Sequence, residues 1–165
     1  METVYFQGNA CHTAGMLPSV GEKAPDFTLV DADLKELRPS DFPGKKIVLN
    51  IFPSLDTAVC AMSVRKFNEK AASKKDAVVL CVSMDLPFAA KRFCTLENIK
   101  DVYPASAFRS PEFTKDYGVQ LVDGPLKGLL TRAVIIIDEN GKAIYRDLVN
   151  EITDEPDYEA ALKML

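Results

Sequence analysis

The chain has 165 residues, no tryptophan and a single histidine, His12. Its four cysteines, at 11, 60, 81 and 94, form no Cys-x-x-Cys pair. Cys11 and His12 are adjacent but lack a second ligand pair at any usual zinc spacing, so a metal site is a poor reading. No apolar run approaches the roughly 20 residues that cross a membrane. No basic start followed by an apolar stretch and a cleavage site opens the chain, so no secretory signal is expected. Lysine and arginine together number 20 against 24 acidic residues, a net charge of −4. The densest basic cluster, Lys70 to Lys75, is diluted by alanines and reads as a solvated helix end. Neither nucleic acid nor a membrane surface is an expected partner.

What is present is ordinary for a water-exposed globular fold, with 47% apolar and 27% charged residues. The length suits one well-buried core, so residues 1–165 are read as a single domain. No repeat or low-complexity stretch interrupts it. Four cysteines in a chain of this kind argue against a stabilising disulfide framework and for a reducing compartment, the cytoplasm. There, cysteines are buried, catalytic or redox-active. Residues 2–8 resemble a protease-cleavable linker, yet Thr3-Val4-Tyr5-Phe6 is strongly β-favouring and Gly8-Asn9 supplies turn residues. Residues 1–16 are therefore read as a native hairpin extension, with Cys11 to Ala14 as the return strand.

Further along, Phe27 to Val30 and the segment ending at Leu37 read as short strands. Lys45 to Phe52 and Ala77 to Ser83 are nearly all apolar and β-branched, as suits strands covered on both faces. Cys60 to Lys74 carries apolar side chains at 60, 64, 67 and 71, a helical stripe. Pro87 opens a second helix, Asp101 to Pro104 is a short strand, and Ser110-Pro111 starts a third helix. Arg132 to Asp138 and Ala143 to Val149 flank Asn140-Gly141, a strong hairpin signal. Thr153 to Leu165 is a final helix capped by Thr153 or Asp154, with Pro156 in its first turn. Two βα units, a hairpin and a last helix predict an α/β fold. A mixed sheet flanked by helices, a thioredoxin-like sandwich, fits the count and order.

The stretch richest in chemistry is Pro53-Ser54-Leu55-Asp56-Thr57-Ala58-Val59-Cys60. A strand leads in and a helix leads out, which sets the Cys60 thiol at a helix start where backbone N–H groups are unpaired. The positive end of a helix lowers a thiol pKa. An ordinary thiol is only about 3% ionised at neutrality. A cysteine in such a place can also be simple packing.

Pro-x-x-x-Thr-x-x-Cys, as Pro53, Thr57 and Cys60, resembles the active-site motif of peroxiredoxins. The likeness is nearer still to the thiol peroxidases, the Tpx-type atypical two-cysteine peroxiredoxins, and covers almost the whole chain. It includes Val48 to Ser54, Ser63 to Asn68, Asp85-Leu86-Pro87-Phe88-Ala89, Arg92-Phe93-Cys94, Asp123 to Leu129, Ala133-Val134 and Glu151-Ile152-Thr153. The resemblance implies a thiol-dependent peroxidase acting on hydrogen peroxide and organic hydroperoxides without metal, haem, flavin or other cofactor. It implies Cys60 as the peroxidatic thiol and Cys94 as the resolving one, joined in an intramolecular disulfide recycled by thioredoxin. It also implies a homodimer.

In that scheme Thr57 can accept from the peroxide and donate to the thiolate, Arg132 supplies a cationic fork, and Pro53 shapes the pocket. Backbone N–H groups of Val59 and Cys60 would meet charge developing on oxygen. Phe88, Leu126 and Leu129 are the expected apolar flank for an alkyl substrate. The family commonly carries proline after the threonine, whereas Ala58 stands here, freeing φ and restoring an N–H. Cys81, within an apolar strand, reads as a small hydrophobe, and Cys11 is given no catalytic role. Two other functions use the same residues: a thiol–disulfide oxidoreductase, disfavoured by Ser63 in place of a second cysteine, and a redox sensor switched by a Cys60–Cys94 bond.

Overall fold

The computed structural model describes residues 1–71 and 74–165. Its centre is β5 (Lys46–Ile51), which runs parallel to β6 (Ala77–Ser83) and antiparallel to β8 (Ala133–Ile137). β7 (Tyr103–Ser106) extends the parallel side, and β9 (Ala143–Leu148) closes the other side as the hairpin partner of β8. With β3 (Leu29–Val30) and β4 (Glu36–Leu37), the seven strands lie in the order β4-β3-β7-β6-β5-β8-β9. This is the mixed sheet expected of the thioredoxin-like arrangement.

The apolar runs work because β5 is covered twice. Ile47, Leu49 and Ile51 join a cluster with Phe27, Phe113 and Tyr117, beneath α3 (Pro111–Asp116). Val48 and Phe52 join a second cluster with Cys60, Val64 and Phe67 of α1 (Ala58–Ala71) and Ala90 of α2 (Pro87–Leu96). Tyr158 and Ala161 of α4 (Tyr158–Leu162) complete that second layer. Side chains alternate across a strand, so one run of apolar residues feeds both cores. Each fully buried large side chain contributes about 1.5–3 kcal/mol.

The N-terminal hairpin forms from β1 (Thr3–Phe6) and β2 (Asn9–His12). Its turn is Gln7-Gly8, both at positive φ (52° and 82°), one residue earlier than the sequence pattern suggests. Val4, Cys11, Leu121 and Ile152 make a small core of their own that fastens the hairpin down.

Two helices and one cap differ from expectation. Helix α1 begins at Ala58, two residues before Cys60, because the carbonyl of Thr57 already accepts from Ala61 N–H (2.9 Å). Residues 72 and 73, which the expected helix also spanned, lie outside the described residues. Helix α4 is much shorter than Thr153 to Leu165 and is capped by Asp157, whose carboxylate accepts from Ala160 N–H (3.0 Å). Proline at 156 biases residue 155 away from helical backbone, so the helix starts beyond it. Ser110 precedes α3 but caps nothing, because its hydroxyl donates to the carbonyl of Thr28 (2.6 Å).

Candidate active site

The register of two strands builds the site. Ile51, the last residue of β5, pairs with Ala133, the first of β8. Arg132 therefore sits where β5 gives way to the loop 52–57, and α1 starts directly after that loop. The Arg132 guanidinium is buried, and its Nη2 lies 3.1 Å from Cys60 Sγ. Its Nε donates to the carbonyl of Ile152 at 2.7 Å, which fixes the plane of the fork. Its Nη1 is buried and has no hydrogen-bond partner.

Cys60 is fully buried in the first turn of α1. The first intrahelical bond comes from Ala61, so the N–H groups of Ala58, Val59 and Cys60 have no carbonyl of their own helix. That end of the helix is positive and favours a negative sulfur or oxygen. Two buried polar residues hold the turn down. Ser63 Oγ donates to the Cys60 carbonyl (2.8 Å), and Asn50 Nδ2 on β5 donates to Ser63 Oγ (3.2 Å).

A cavity of about 260 Å³ opens in front of these groups, lined by Phe6, Pro53, Thr57, Leu126, Arg132 and Ile152 among others. Ala58, Val59 and Leu129 also line it. Pro53 is buried and supplies wall without an N–H. Thr57 is on the rim with its hydroxyl donating to the Ser54 carbonyl (3.1 Å). That hydroxyl therefore has lone pairs free to accept, and it does not donate to the Cys60 sulfur as expected.

Phe88 is not part of this cavity. It projects from the first turn of α2 and is 68% exposed. The sequence placed it beside the substrate only because it is apolar and near Pro87. Phe6 takes that place from the hairpin, and Ile152 supplies both wall and the carbonyl that orients Arg132. Neither role has a local signal. Phe6 reaches the site by tertiary docking, and a backbone carbonyl is silent in any sequence.

Cys94 is half-buried near the end of α2 and lines a different hollow, with Asp33, Lys91, Thr95 and Pro104. The two hollows share no lining residue. All four cysteines are free thiols. Burial pushes the Cys94 thiol up to about 11. Burial also pushes Cys81 up to about 12, although Asn50 Nδ2 lies 3.7 Å from its sulfur. Size alone does not mark the site: a larger hollow of about 610 Å³ at the other end of β5, lined by Lys46, Lys74 and Glu139, contains no thiol.

The Redoxin family profile matches residues 19–162. A thiol peroxidase of Corynebacterium glutamicum is 57% identical over all 165 residues and 99% of its own length. One of Mycobacterium tuberculosis is 54% identical over the same span. This chain belongs to the thiol peroxidase family of the Redoxins. A solved peroxiredoxin-like protein of Aquifex aeolicus superposes with a TM-score of 0.94 at 43% identity, covering 99% of this chain and 95% of that one. A thiol peroxidase of Chromobacterium violaceum, 21% identical, shares the fold with a TM-score of 0.90 over 99% of this chain and 95% of its own. The family is one of thiol-dependent peroxidases, oxidoreductase enzymes that act through cysteine.

Among the described residues, no helix is long and apolar enough to cross a membrane.

Proposed function

We propose that this enzyme reduces hydrogen peroxide and alkyl hydroperoxides at Cys60, resolves the product with Cys94 and is recycled by thioredoxin. The observation that carries the reading is the buried Arg132 fork. One N–H is on the Cys60 sulfur at 3.1 Å, another is held by the Ile152 carbonyl at 2.7 Å, and the residue lines an apolar cavity. Cys60 attacks, as thiolate, the terminal oxygen of R–O–O–H. The S–O bond forms as the O–O bond breaks, and the departing alkoxide takes a proton and leaves as R–OH. The Arg132 guanidinium and the first-turn N–H groups of α1 meet the charge that grows on the two oxygens, and the Thr57 hydroxyl accepts from the peroxide O–H. The apolar walls from Phe6, Pro53, Leu126 and Ile152 suit an alkyl group, which hydrogen peroxide lacks.

The sulfenic acid on Cys60 is then attacked by Cys94. The S–S bond forms and the hydroxyl leaves as water. Cα atoms must come within about 7 Å for this, so the first turn of α1 and the end of α2 have to move. Thioredoxin, a dithiol, reduces the disulfide and is itself oxidised. The enzyme works as one domain in a reducing compartment, the cytoplasm, and pairs as a homodimer. It needs no metal or organic cofactor for these steps.

Peroxide consumption with thioredoxin and its reductase tests the scheme. Cys60→Ser is expected to abolish consumption. Cys94→Ser is expected to spend one equivalent of peroxide in forming sulfenic acid and a second in accumulating sulfinic acid at Cys60, without sustained turnover. Undiminished turnover in Cys60→Ser would overturn the assignment. A wild-type protein that stops after one equivalent with thioredoxin present would favour a sensor.

A further inference from the structure

The loop 53–57 carries Pro53 and Thr57, delivers the first turn of α1 and sets Leu55 in the second core cluster. Within itself it has Thr57 N–H and Thr57 Oγ1 on the Ser54 carbonyl (3.2 and 3.1 Å) and Asp56 N–H on Ser54 Oγ (3.2 Å). Its polar ties to the rest of the fold converge on one group. Ser54 Oγ donates to Asp85 Oδ1 and Leu55 N–H donates to Asp85 Oδ2, each at 2.8 Å. The same Oδ2 accepts from Ser83 Oγ (2.7 Å), on the last residue of β6. The Asp85 carbonyl accepts from Ser106 Oγ (2.5 Å), on the last residue of β7. Asp85 thus stands two residues before Pro87, the first residue of the helix that bears Cys94.

One carboxylate therefore clasps the loop in front of Cys60 to the entry of the Cys94 helix. We propose that Asp85 is a positioning residue that holds the peroxide-reactive form of the active-site loop, and that its clasp sets how Cys60 sulfenic acid divides between two fates. The inference rests on the peroxidase reading above.

The two fates are chemically distinct. With the loop clasped, Cys60 stays buried beside Arg132 and the cavity, where a second peroxide reaches it. That peroxide gives its terminal oxygen to sulfur and leaves as R–OH, and sulfenic acid becomes sulfinic acid. With the loop released, Cys94 sulfur attacks instead, and the products are a disulfide and water. The clasp favours the first encounter with peroxide and delays resolution. Charge-assisted hydrogen bonds from an amide and two hydroxyls to one carboxylate are among the stronger ties available to a loop.

The test uses the full chain and cumene hydroperoxide. Asp85→Ala is expected to slow sulfenic acid formation about tenfold or more, since small displacements of a positioned group have effects of this size. It is also expected to lower the ratio of sulfinic acid to disulfide at high peroxide, read by mass spectrometry. Asp85→Asn keeps one acceptor oxygen and should fall between the two. If Asp85→Ala does not fold, Ser54→Ala removes one arm of the clasp and should move both readings in the same direction. A folded variant with an unchanged ratio, or a higher one, would overturn the proposal.

Amide exchange at Leu55 and Asp56 in the reduced protein needs no peroxide. Faster exchange in Asp85→Ala is expected, and unchanged exchange would refute the clasp even if peroxide turnover behaved as proposed. Absence of turnover in the wild type would instead refute the peroxidase reading while leaving the exchange result to decide the clasp.

Discussion

The start of α1 and the end of α2 each hold a cysteine of the same core layer, and they treat it in opposite ways. Cys60 is fully buried, faces the N–H end of a helix and has a guanidinium 3.1 Å from its sulfur. Cys94 is half-buried near the carbonyl end of a helix, where its own carbonyl accepts from Ile99 N–H (2.9 Å). No cation offsets its desolvation, and burial holds its thiol up at about 11. In β6, burial pushes the Cys81 thiol up to about 12 as well. What distinguishes the start of α1 is a fixed charge and aligned amides around a buried sulfur. In the proposed scheme the first cysteine meets peroxide in the folded state, and the second reaches it only when its helix moves.

Removing the fixed charge should break that contrast most sharply. Arg132→Met keeps bulk but loses both the contact on Cys60 and the bond to the Ile152 carbonyl. The rate of sulfenic acid formation is expected to drop about 10²–10³-fold, the usual cost of deleting one such donor. Arg132→Lys keeps charge without the fork and should recover only part of it. Stopped-flow mixing with peroxide under single-turnover conditions checks both. A loss below about threefold would place the anion-stabilising work in the helix amides instead.

The next contrast concerns Cys94 alone. In a Cys60→Ser protein, iodoacetamide reacts with the thiolate form only, so labelling of Cys94 should climb about tenfold per pH unit from neutrality towards about 11. The sign follows from a raised value: the neutral thiol persists below it, and thiolate accumulates as the pH approaches it. Unfolding in urea should return labelling at neutral pH to that of an ordinary thiol. Fast labelling of the folded protein at pH 7 would mean that the end of α2 already opens freely.

How much of this was legible without coordinates also divides along the same line. β5 and β6 are long apolar runs, and their spans differ from the expected ones by at most one residue at either end. Cys60 at a helix start was readable from the local pattern, and Pro53 and Thr57 joined it through the family motif they resemble. Arg132 was reachable only through family likeness, because an antiparallel pairing far along the chain places it. Phe6 and the Ile152 carbonyl were invisible for the same reason. The Phe88 expectation failed because an apolar residue near a proline has no way to reveal which side of α2 it occupies. Helix ends were the least readable feature: Ser110 and Thr153 look like caps, yet Ser110 bonds the distant Thr28 carbonyl and Pro156 holds the start of α4 beyond Thr153.

Phe6 offers a finer test of the cavity. Phe6→Ala removes one wall while leaving sulfur and guanidinium untouched. The ratio of kcat/KM for cumene hydroperoxide to that for hydrogen peroxide is expected to fall about tenfold, within the range for pocket contacts of this kind. Leu126→Ala should shift the same ratio in the same direction by less. A ratio that holds steady in both would mean the alkyl group lies elsewhere.

The smallest expected effect concerns how that wall is held. Glu151 accepts N–H bonds from Thr153 (3.1 Å), Gly8 (2.8 Å) and Gln7 (3.2 Å), and these bonds keep its carboxyl below the usual carboxylate range. Asp123 accepts from His12 Nδ1 (2.7 Å) and His12 N–H (2.8 Å), which lower it likewise. Both groups have folded values beneath their unfolded ones. Their contribution to docking the hairpin is therefore complete above the ordinary carboxylate range and is lost as pH falls through the lowered values. Both carboxylates are exposed, so the effect is modest and weakens with salt. Amide exchange in β1 and β2 should quicken on acidification before exchange in β5 does, and Glu151→Gln should show faster hairpin exchange at neutral pH. Hairpin and β5 losing protection together would mean that the apolar contacts of Val4 and Cys11, not these carboxylates, govern the docking.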